Sequence, residues 1–121
     1  MKLSTGVDLI EIARIEEALA RHGRHYLDRV FTPAEIAECG RRVESLAARF
    51  AAKEAAAKAL GCGIGDIAWK EVEILGDEQN APTLTLHGAA AQKAQELGLT
   101  TWSVSLSHSQ SHALAFVAAI G

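Results

Sequence analysis

Residues 45–65 read SLAARFAAKEAAAKALGCGIG and contain the most clearly predicted helix of the chain. The segment from Ser45 to Leu60 is rich in alanine and contains neither glycine nor proline, which predicts a helix. Gly61 follows directly, and glycine is the residue that most often ends a helix in the left-handed conformation.

Before this helix, the sequence predicts one strand and two helices. Alternation from Leu3 to Leu9 indicates a strand, which gives way to a helix just after Asp8 and stops before Gly23. Thr32-Pro33-Ala34-Glu35 has the pattern of a capping box with proline at the first helical position, and it predicts a short helix to about Cys39.

After the helix, the sequence predicts two hairpins separated by a helix. The predicted elements are a strand from Trp69 to Leu75, a turn from Asp77 to Pro82, a strand from Thr83 to His87, a helix from Ala89 to Leu97, and strands from Thr101 to His108 and from His112 to Ile120. Hairpins require antiparallel pairing. The predicted class is therefore α+β, one domain over residues 1–121 with helices packed on a mixed or antiparallel sheet.

The composition excludes several classes of protein. Of the 121 residues, 49% are hydrophobic and 22% charged, as in a folded globular domain rather than a disordered chain. The longest apolar run, Ala113 to Ile120, is far shorter than the roughly 20 residues of a membrane-spanning helix. The N-terminal segment lacks the apolar centre of a signal peptide, so we expect a cytoplasmic protein with no membrane partner and with Cys39 and Cys62 reduced.

Charge is unevenly distributed along the chain. The net charge is −3 and the pI is about 5.9, which argues against a nucleic-acid partner. Residues 1–60 nevertheless hold ten of the twelve basic side chains and nine of the fifteen acidic ones, and all seven arginines lie at or before Arg49. Such clustering indicates either solvated helix faces or a surface for an acidic partner or a phosphate ligand.

Glu54 is an acid in apolar surroundings. At about 100° per residue, it falls between Ala51 and Ala57 on the helix stripe predicted to be buried, and Lys58 lies one turn further on. A buried carboxylate is costly unless it is paired or bound to a cation. The pattern therefore indicates either an ordinary Glu54–Lys58 pair or a ligand site.

Asp8 raises the same question from the first strand, because its neighbours in Gly6-Val7-Asp8-Leu9-Ile10 are glycine or apolar. It either caps the following helix or is a second acid of the same site. Two carboxylates are the protein ligands that Mg²⁺ typically takes, with water and phosphate oxygens completing its shell.

Two further segments can be structural or can contact a ligand. The glycines of Gly61-Cys62-Gly63-Ile64-Gly65 turn the chain or permit a ligand to approach it closely, and the segment does not match a phosphate-binding P-loop. Ser107-His108-Ser109, at the end of a strand, is either a strand end or a set of three hydrogen-bond donors for a phosphate.

Together these segments resemble the holo-acyl-carrier-protein synthase family. The resemblance rests on Gly6-Val7-Asp8, on residues 49–59 (RFAAKEAAAKA), on the loop of residues 61–65 and on residues 104–109 (VSLSHS), and it covers essentially the whole chain. It implies the 4′-phosphopantetheinyl transferase fold. The implied reaction is the Mg²⁺-dependent transfer of 4′-phosphopantetheine from coenzyme A to a serine of an apo acyl carrier protein, which releases adenosine 3′,5′-bisphosphate in support of fatty acid biosynthesis.

The resemblance also implies roles for individual residues. Asp8 and Glu54 would bind Mg²⁺, and Lys58 would stabilise or protonate the leaving phosphate. Either Glu54 or a magnesium-bound water would remove the serine proton. Lys53 would contact coenzyme A phosphates. The remaining implied coenzyme A contacts are Gly61, Gly63, Gly65, Pro82, Ser107, His108 and Ser109, with His108 near the 3′-phosphate.

The same resemblance implies a binding partner for the arginine cluster. Arg14, Arg21 and Arg24 match the family's docking surface for an acidic acyl carrier protein, and Arg14 and Arg21 are spaced to share a helix face. Short members of the family form homotrimers with sites between subunits. An exposed face of the last strand could serve as such a subunit contact.

The chain departs from the family pattern at two positions. Asn80-Ala81 precedes Pro82 where the family usually has a glycine and a basic residue, which leaves that loop without a basic side chain, and His112 stands where an aromatic residue is common. Two other interpretations predict different behaviour. A non-catalytic module that binds an acidic partner would need no Mg²⁺, and another Mg²⁺-dependent nucleotide or phosphate transferase would not modify a carrier protein.

Overall fold

The fold is built around one long helix and two antiparallel sheets. The computed structural model describes all of residues 1–121. Its elements are β1 (Leu3–Glu11), α1 (Ile12–His22), α2 (Arg24–Val30), α3 (Pro33–Cys39), α4 (Val43–Ala59), β2 (Val72–Gly76), β3 (Pro82–Leu86), α5 (Gly88–Leu97), β4 (Thr101–His108) and β5 (His112–Ile120). A single 3₁₀ turn, Trp69–Glu71, precedes β2. The α+β class predicted from the sequence is confirmed.

The larger sheet has three strands in the order β1-β5-β4. β5 pairs with β1 from Ile120 opposite Leu3 to His112 opposite Glu11, and on its other side it pairs with the whole of β4. β2 and β3 form a separate two-stranded sheet. The final hairpin, β4 and β5, begins and ends at the predicted residues.

α4 packs on the inner face of the larger sheet and is covered by α1 and β2 on other sides. Alanine is what makes this burial possible, because a side chain of one methyl group lets backbones approach from several directions. Ala47, Ala51, Ala52, Ala55 and Ala56 are all fully buried. The inner face of β5 is equally small, with Ala113 and Ala115 fully buried against the helix. α4 is therefore the centre of the core rather than a helix with one buried stripe.

Three local predictions differ from the structure. β1 continues to Glu11 instead of giving way to a helix after Asp8, because β5 offers it a partner along its whole length. α2 was not predicted; it is only seven residues long and begins directly after Gly23, whose φ of +54° ends α1. Trp69–Glu71 is a 3₁₀ turn rather than strand, because the Glu71 carboxylate accepts a hydrogen bond from the Ala68 amide and closes the turn.

The outer face of the larger sheet exposes apolar side chains from β1 and β5. Phe116 is 45% exposed, and its cross-strand neighbour Val7 is 50% exposed. The other exposed large apolar side chains of this face, which we call the outer apolar face, are Leu3, Leu9, Leu114 and Ile120. None of the helices is both long enough and apolar enough to traverse a bilayer.

Candidate active site

Asp8, Glu54 and Lys58 come together where β1 crosses α4. The Lys58 Nζ donates to the backbone oxygen of Val7 at 2.8 Å and to Oδ1 of Asp8 at 3.2 Å. The side chain of Lys58 is 53% exposed and that of Asp8 20% exposed, so the pair lies at an opening rather than in the core. Because these residues are some 50 positions apart in sequence, the pairing is a product of the β1–α4 packing.

Glu54 is the second carboxylate of this cluster. Burial raises the pKa of its carboxyl above the usual range, and the nearby Asp8 carboxylate raises it further, while Lys58 and Arg14 act in the opposite direction. The chain's ion pairs include Lys58 with Asp8 but none with Glu54. Glu54 is thus a half-buried acid that is held beside another acid with no cation of its own.

The stripe of α4 that helical spacing predicts to be buried is confirmed at Ala47, Ala51 and Ala57, but not at the turn that carries Glu54 and Lys58. The sequence puts Glu54 in the middle of the buried stripe, whereas the structure buries α4 almost all round and leaves Lys58 exposed and Glu54 half-buried. Ala47 and Ala51, earlier on the same side of the helix, are fully covered. The opening is therefore confined to the turn that carries the acid and the lysine.

The donor set fits a hard divalent cation. Groups of three or more His, Cys, Asp or Glu side chains close enough to hold a metal ion do not occur in the chain. Mg²⁺ characteristically takes only one or two protein carboxylates and keeps positions for water and phosphate oxygens. Asp8 and the unpaired, half-buried Glu54 match that requirement, because a second positive charge would relieve the repulsion that raises the pKa of Glu54.

Glu54 gives a first prediction, on stability without metal. A carboxyl whose pKa is raised in the folded state stabilises the fold at acid pH and loses that contribution as the pH rises through the raised value. Glu54→Gln should therefore be more stable than the wild type at neutral pH in the presence of chelator, by less than about 1 kcal/mol because the site is open to solvent. Thermal unfolding at neutral and at acid pH tests this; a variant that is less stable than the wild type at neutral pH would contradict it.

Lys53 does not join the cluster. Its side chain is fully buried, and its Nζ donates to Glu35 Oε1 at 2.8 Å, to Val72 O at 2.6 Å and to Trp69 O at 3.1 Å. All three of its N–H groups are therefore used inside the core. The expected contact between Lys53 and coenzyme A phosphates is corrected to a structural role, because a phosphate could reach this nitrogen only if the core opened.

The hairpin end forms a small pocket of its own. Ser107, His108 and Ser109 line a cavity of about 220 Å³ together with Leu9, His112 and Leu114. Ser109 Oγ accepts from the amides of Ser111 and His112 at 3.3 and 3.1 Å, which orders the turn. Leu9 adjoins Asp8 in β1 but points to the other face of the strand, so this pocket opens on the outer side of the larger sheet, next to the strand position that carries Asp8.

The other predicted coenzyme A contacts are more widely spread. Gly61 and Gly65 have φ values of +72° and +123°, a conformation that favours glycine, and Gly63 lies between them in the exposed loop. Gly61 borders a polar cavity of about 480 Å³ between this loop and α5. Pro82 begins β3 in the smaller sheet, so the structure does not bring it into the sheet that carries Asp8 and His108.

The predicted docking arginines lie on α1 and α2. Arg14 and Arg21 line one surface cavity of about 230 Å³ with Glu17, Ala18 and His22, which bears out their placement on one helix face. Arg21 pairs with Glu17 at 3.2 Å, and Arg24 on α2 pairs with Asp28 at 2.9 Å. Arg14 also lowers the pKa of Glu54, so the basic surface adjoins the acid cluster.

Sequence reasoning missed the partner of Lys53. Glu35 was interpreted as the last residue of a capping box, which the structure confirms: its amide donates to Thr32 Oγ1 and its carboxylate accepts from the Thr32 amide. The same carboxylate is fully buried and also accepts from Lys53 and from the Ile74 amide. A lysine surrounded by alanines was the only available signal for this network.

The chain is similar to known proteins over nearly its full length. Residues 4–117 match the model of the 4′-phosphopantetheinyl transferase superfamily. The holo-[acyl-carrier-protein] synthase of Herpetosiphon aurantiacus is 55% identical, with 98% of this chain and 99% of that protein covered. The synthase of the same name from Moorella thermoacetica is 50% identical, with 93% and 90% covered.

Structural similarity extends to a liganded protein. The crystal structure of Helicobacter pylori holo-[acyl-carrier-protein] synthase in complex with coenzyme A superposes with a TM-score of 0.87 at 34% identity. The match covers 96% of this chain and 99% of the other. The arrangement of helices and sheets described above is therefore similar to that of a protein that binds coenzyme A.

Proposed function

The chain belongs to the 4′-phosphopantetheinyl transferase superfamily and is an enzyme of the holo-acyl-carrier-protein synthase type, and from this we propose that Asp8, Glu54 and Lys58 form its active site. The reaction we propose joins a serine oxygen of an apo acyl carrier protein to the phosphorus of coenzyme A that bears pantetheine. The pyrophosphate bond breaks, and adenosine 3′,5′-bisphosphate leaves with the electron pair. The observation that carries this assignment is the pair of acids, one without a cation, beside a lysine at an opening.

Each residue of the cluster has a distinct task in this proposal. Asp8 and Glu54 would hold Mg²⁺, which when bound supplies positive charge for the pyrophosphate oxygens. The Lys58 ammonium is partly exposed on the solvent side of Asp8, where a bound phosphate can reach it. Lys58 therefore donates a hydrogen bond to the leaving phosphate and can give it a proton. The serine proton passes to Glu54 or to water.

The hairpin pocket supports coenzyme A binding. Ser107, His108 and Ser109 line it together and are all exposed, so their hydroxyl and imidazole groups are accessible to phosphate oxygens. The exposed glycines of residues 61–65 leave room for the pantetheine chain, since an added Cβ at Gly61, Gly63 or Gly65 would meet no atom within 4 Å. Pro82 remains the least supported of the proposed contacts.

The carrier protein docks, in this proposal, on the α1–α2 surface. Arg14→Ala and Arg21→Ala should each raise the KM for an acidic carrier by about threefold to tenfold with little change in the KM for coenzyme A. The effect should shrink at high salt, because exposed charges are screened. Steady-state kinetics at two ionic strengths measures this. Arg41→Ala, the same loss of charge between α3 and α4, is the matched control, and an equal effect there would refute a specific docking surface.

The outer apolar face supports a homotrimer. Six large apolar side chains from β1 and β5 are 38–71% exposed in the single chain, and contact with further copies would remove them from water. Light scattering should give three times the 12.8 kDa chain mass. Phe116→Glu should reduce this to the monomer mass, while Gln79→Glu in the exposed β2–β3 turn should not. A wild-type monomer at micromolar concentration would rule the trimer out.

We place the reaction in the cytoplasm and in fatty acid biosynthesis. Cys39 and Cys62 are both free, as expected in a reducing compartment. The physiological acceptor in this proposal is the acidic acyl carrier protein of that pathway, since the α1–α2 surface carries a cluster of arginines.

The deciding experiment is intact-protein mass spectrometry of an apo acyl carrier protein after incubation with this chain, coenzyme A and Mg²⁺, with and without chelator. The expected result is a gain of one phosphopantetheine that the chelator prevents. No gain with several acidic carriers would refute the proposed transfer, and a gain that persists in chelator would refute the metal requirement alone.

A further inference from the structure

β1 and α4 approach each other most closely at Gly6. A Cβ built on Gly6 would overlap the carbonyl oxygen of Ala55 and would lie only 3.0 Å from the amide nitrogen of Ala59. These are backbone atoms of consecutive turns of a buried helix, so neither can swing away as a flexible side chain would. Gly6 is itself buried. The strand can therefore lie this near the helix only because residue 6 has no side chain.

The contact is part of a continuous seam between the two elements. On one side of it, Ser4 Oγ donates to the Ala59 carbonyl oxygen at 2.5 Å. On the other side, the Lys58 Nζ donates to the Val7 carbonyl oxygen at 2.8 Å. Three contacts, at Ser4, Gly6 and Val7, thus fix the distance between β1 and the last turns of α4.

This seam sets the geometry of the two acids. Asp8 is two residues beyond Gly6 and shares its face of β1, and Glu54 directly precedes Ala55 in α4. A displacement of β1 at Gly6 must therefore change the separation of the Asp8 and Glu54 carboxylates. No ion pair joins the Asp8 and Glu54 side chains through a third group that would keep their separation constant. The only ion pair in the cluster is that of Asp8 with Lys58.

We propose that Gly6 is a positioning residue, whose missing side chain sets the distance between Asp8 and Glu54 and thereby the affinity of the site for a divalent cation. The inference rests on the proposed function, since it assumes that these two acids share one ion. Gly6 acts through Asp8 and contacts neither substrate nor metal.

Gly6→Ala tests the inference directly. We expect the folded variant to bind Mn²⁺, used as a spectroscopic probe in the presence of coenzyme A, about tenfold to a hundredfold more weakly than the wild type. Electron paramagnetic resonance of free Mn²⁺ measures this without reference to turnover. In the transfer assay, kcat at fixed Mg²⁺ should fall and recover partly when Mg²⁺ is raised, while the KM for the carrier stays within about twofold.

Two further variants keep the test decisive. Gly76→Ala makes the same chemical change in β2, where the added Cβ would meet its neighbours at 3.5–3.6 Å, an ordinary contact, and it should leave Mn²⁺ binding unchanged. If Gly6→Ala does not fold, Ser4→Ala replaces it, because it removes the hydrogen bond to Ala59 without adding bulk. It should weaken Mn²⁺ binding about twofold to tenfold with the fold retained.

The outcomes separate the inference from the proposed function. The inference would be overturned if folded Gly6→Ala kept Mn²⁺ affinity and kcat within twofold of the wild type. If Gly6→Ala does not fold, the same result in Ser4→Ala would overturn it. Neither result would affect the proposed transfer reaction. A wild-type chain that modifies no carrier would instead overturn the proposed function. A Gly76→Ala variant as impaired as Gly6→Ala would show that any added methyl group in a strand has this effect, which also refutes the inference.

Discussion

Asp8→Ala and Glu54→Ala are each expected to abolish phosphopantetheine transfer, with a fall in kcat of at least about a hundredfold and with the fold intact. Each variant removes one of the two carboxylates available to a cation, and neither removes a contact on which the core depends. Asp8 makes a single partly exposed ion pair, and Glu54 makes none. Single-turnover transfer followed by mass spectrometry measures the loss, and circular dichroism checks the fold.

The two acids are expected to behave as a unit. The double variant should be scarcely worse than either single one, because one remaining carboxylate cannot hold the ion that both were needed to bind. Glu11→Ala, which removes an exposed acid three residues from Asp8 in β1, should retain activity and is the matched control. Undiminished turnover of the double variant in the presence of chelator would exclude these residues from the reaction.

Lys53→Met is expected to have the largest effect on stability, a loss of about 3–5 kcal/mol in the free energy of unfolding. The substitution keeps the length of the side chain but removes a charge that is fully buried between Glu35 and two backbone oxygens. Glu35 would then be an unpaired carboxylate in the core, and the oxygens of Trp69 and Val72 would each lose a donor. Denaturant unfolding at neutral pH measures the loss.

A second substitution separates the charge from the packing. Adding Glu35→Gln to Lys53→Met removes the unpaired charge and should recover part of the stability, although the carbonyl oxygens still lack a donor. Lys70→Met, which changes an exposed lysine, serves as control. A Lys53→Met deficit below about 1 kcal/mol would mean that the buried pair contributes little.

Local sequence patterns predicted what local interactions determine. The capping box of Thr32 and Glu35 joins residues three positions apart, and the hairpin of β4 and β5 is joined by three residues. Neither needs information from elsewhere in the chain. The Glu35 carboxylate, in contrast, also bonds to residues 18 and 39 positions away, and no local pattern encodes those partners.

The candidate site was predictable in its members but not in its geometry. Helical spacing correctly put Glu54 and Lys58 near each other on one side of α4, although Lys58 forms its ion pair with Asp8. The side of that helix that faces solvent could not be predicted with the same accuracy, because alanine occurs on all sides of the helix and no single apolar stripe orients it. The roles of Gly6 and Lys53 depend on the approach of β1, α3 and β2 to α4, and these approaches exist only in the folded chain.

The two faces of β1 have different surroundings. Asp8 points toward α4, while Val7 and Leu9 on either side of it belong to the outer apolar face. In the proposed enzyme, subunit contact and catalysis would therefore share one continuous strand. For a trimer joined through this face, specific activity should decline on dilution, in step with dissociation. A compound that merely wedges the subunits apart would then inhibit the enzyme without occupying its reaction centre.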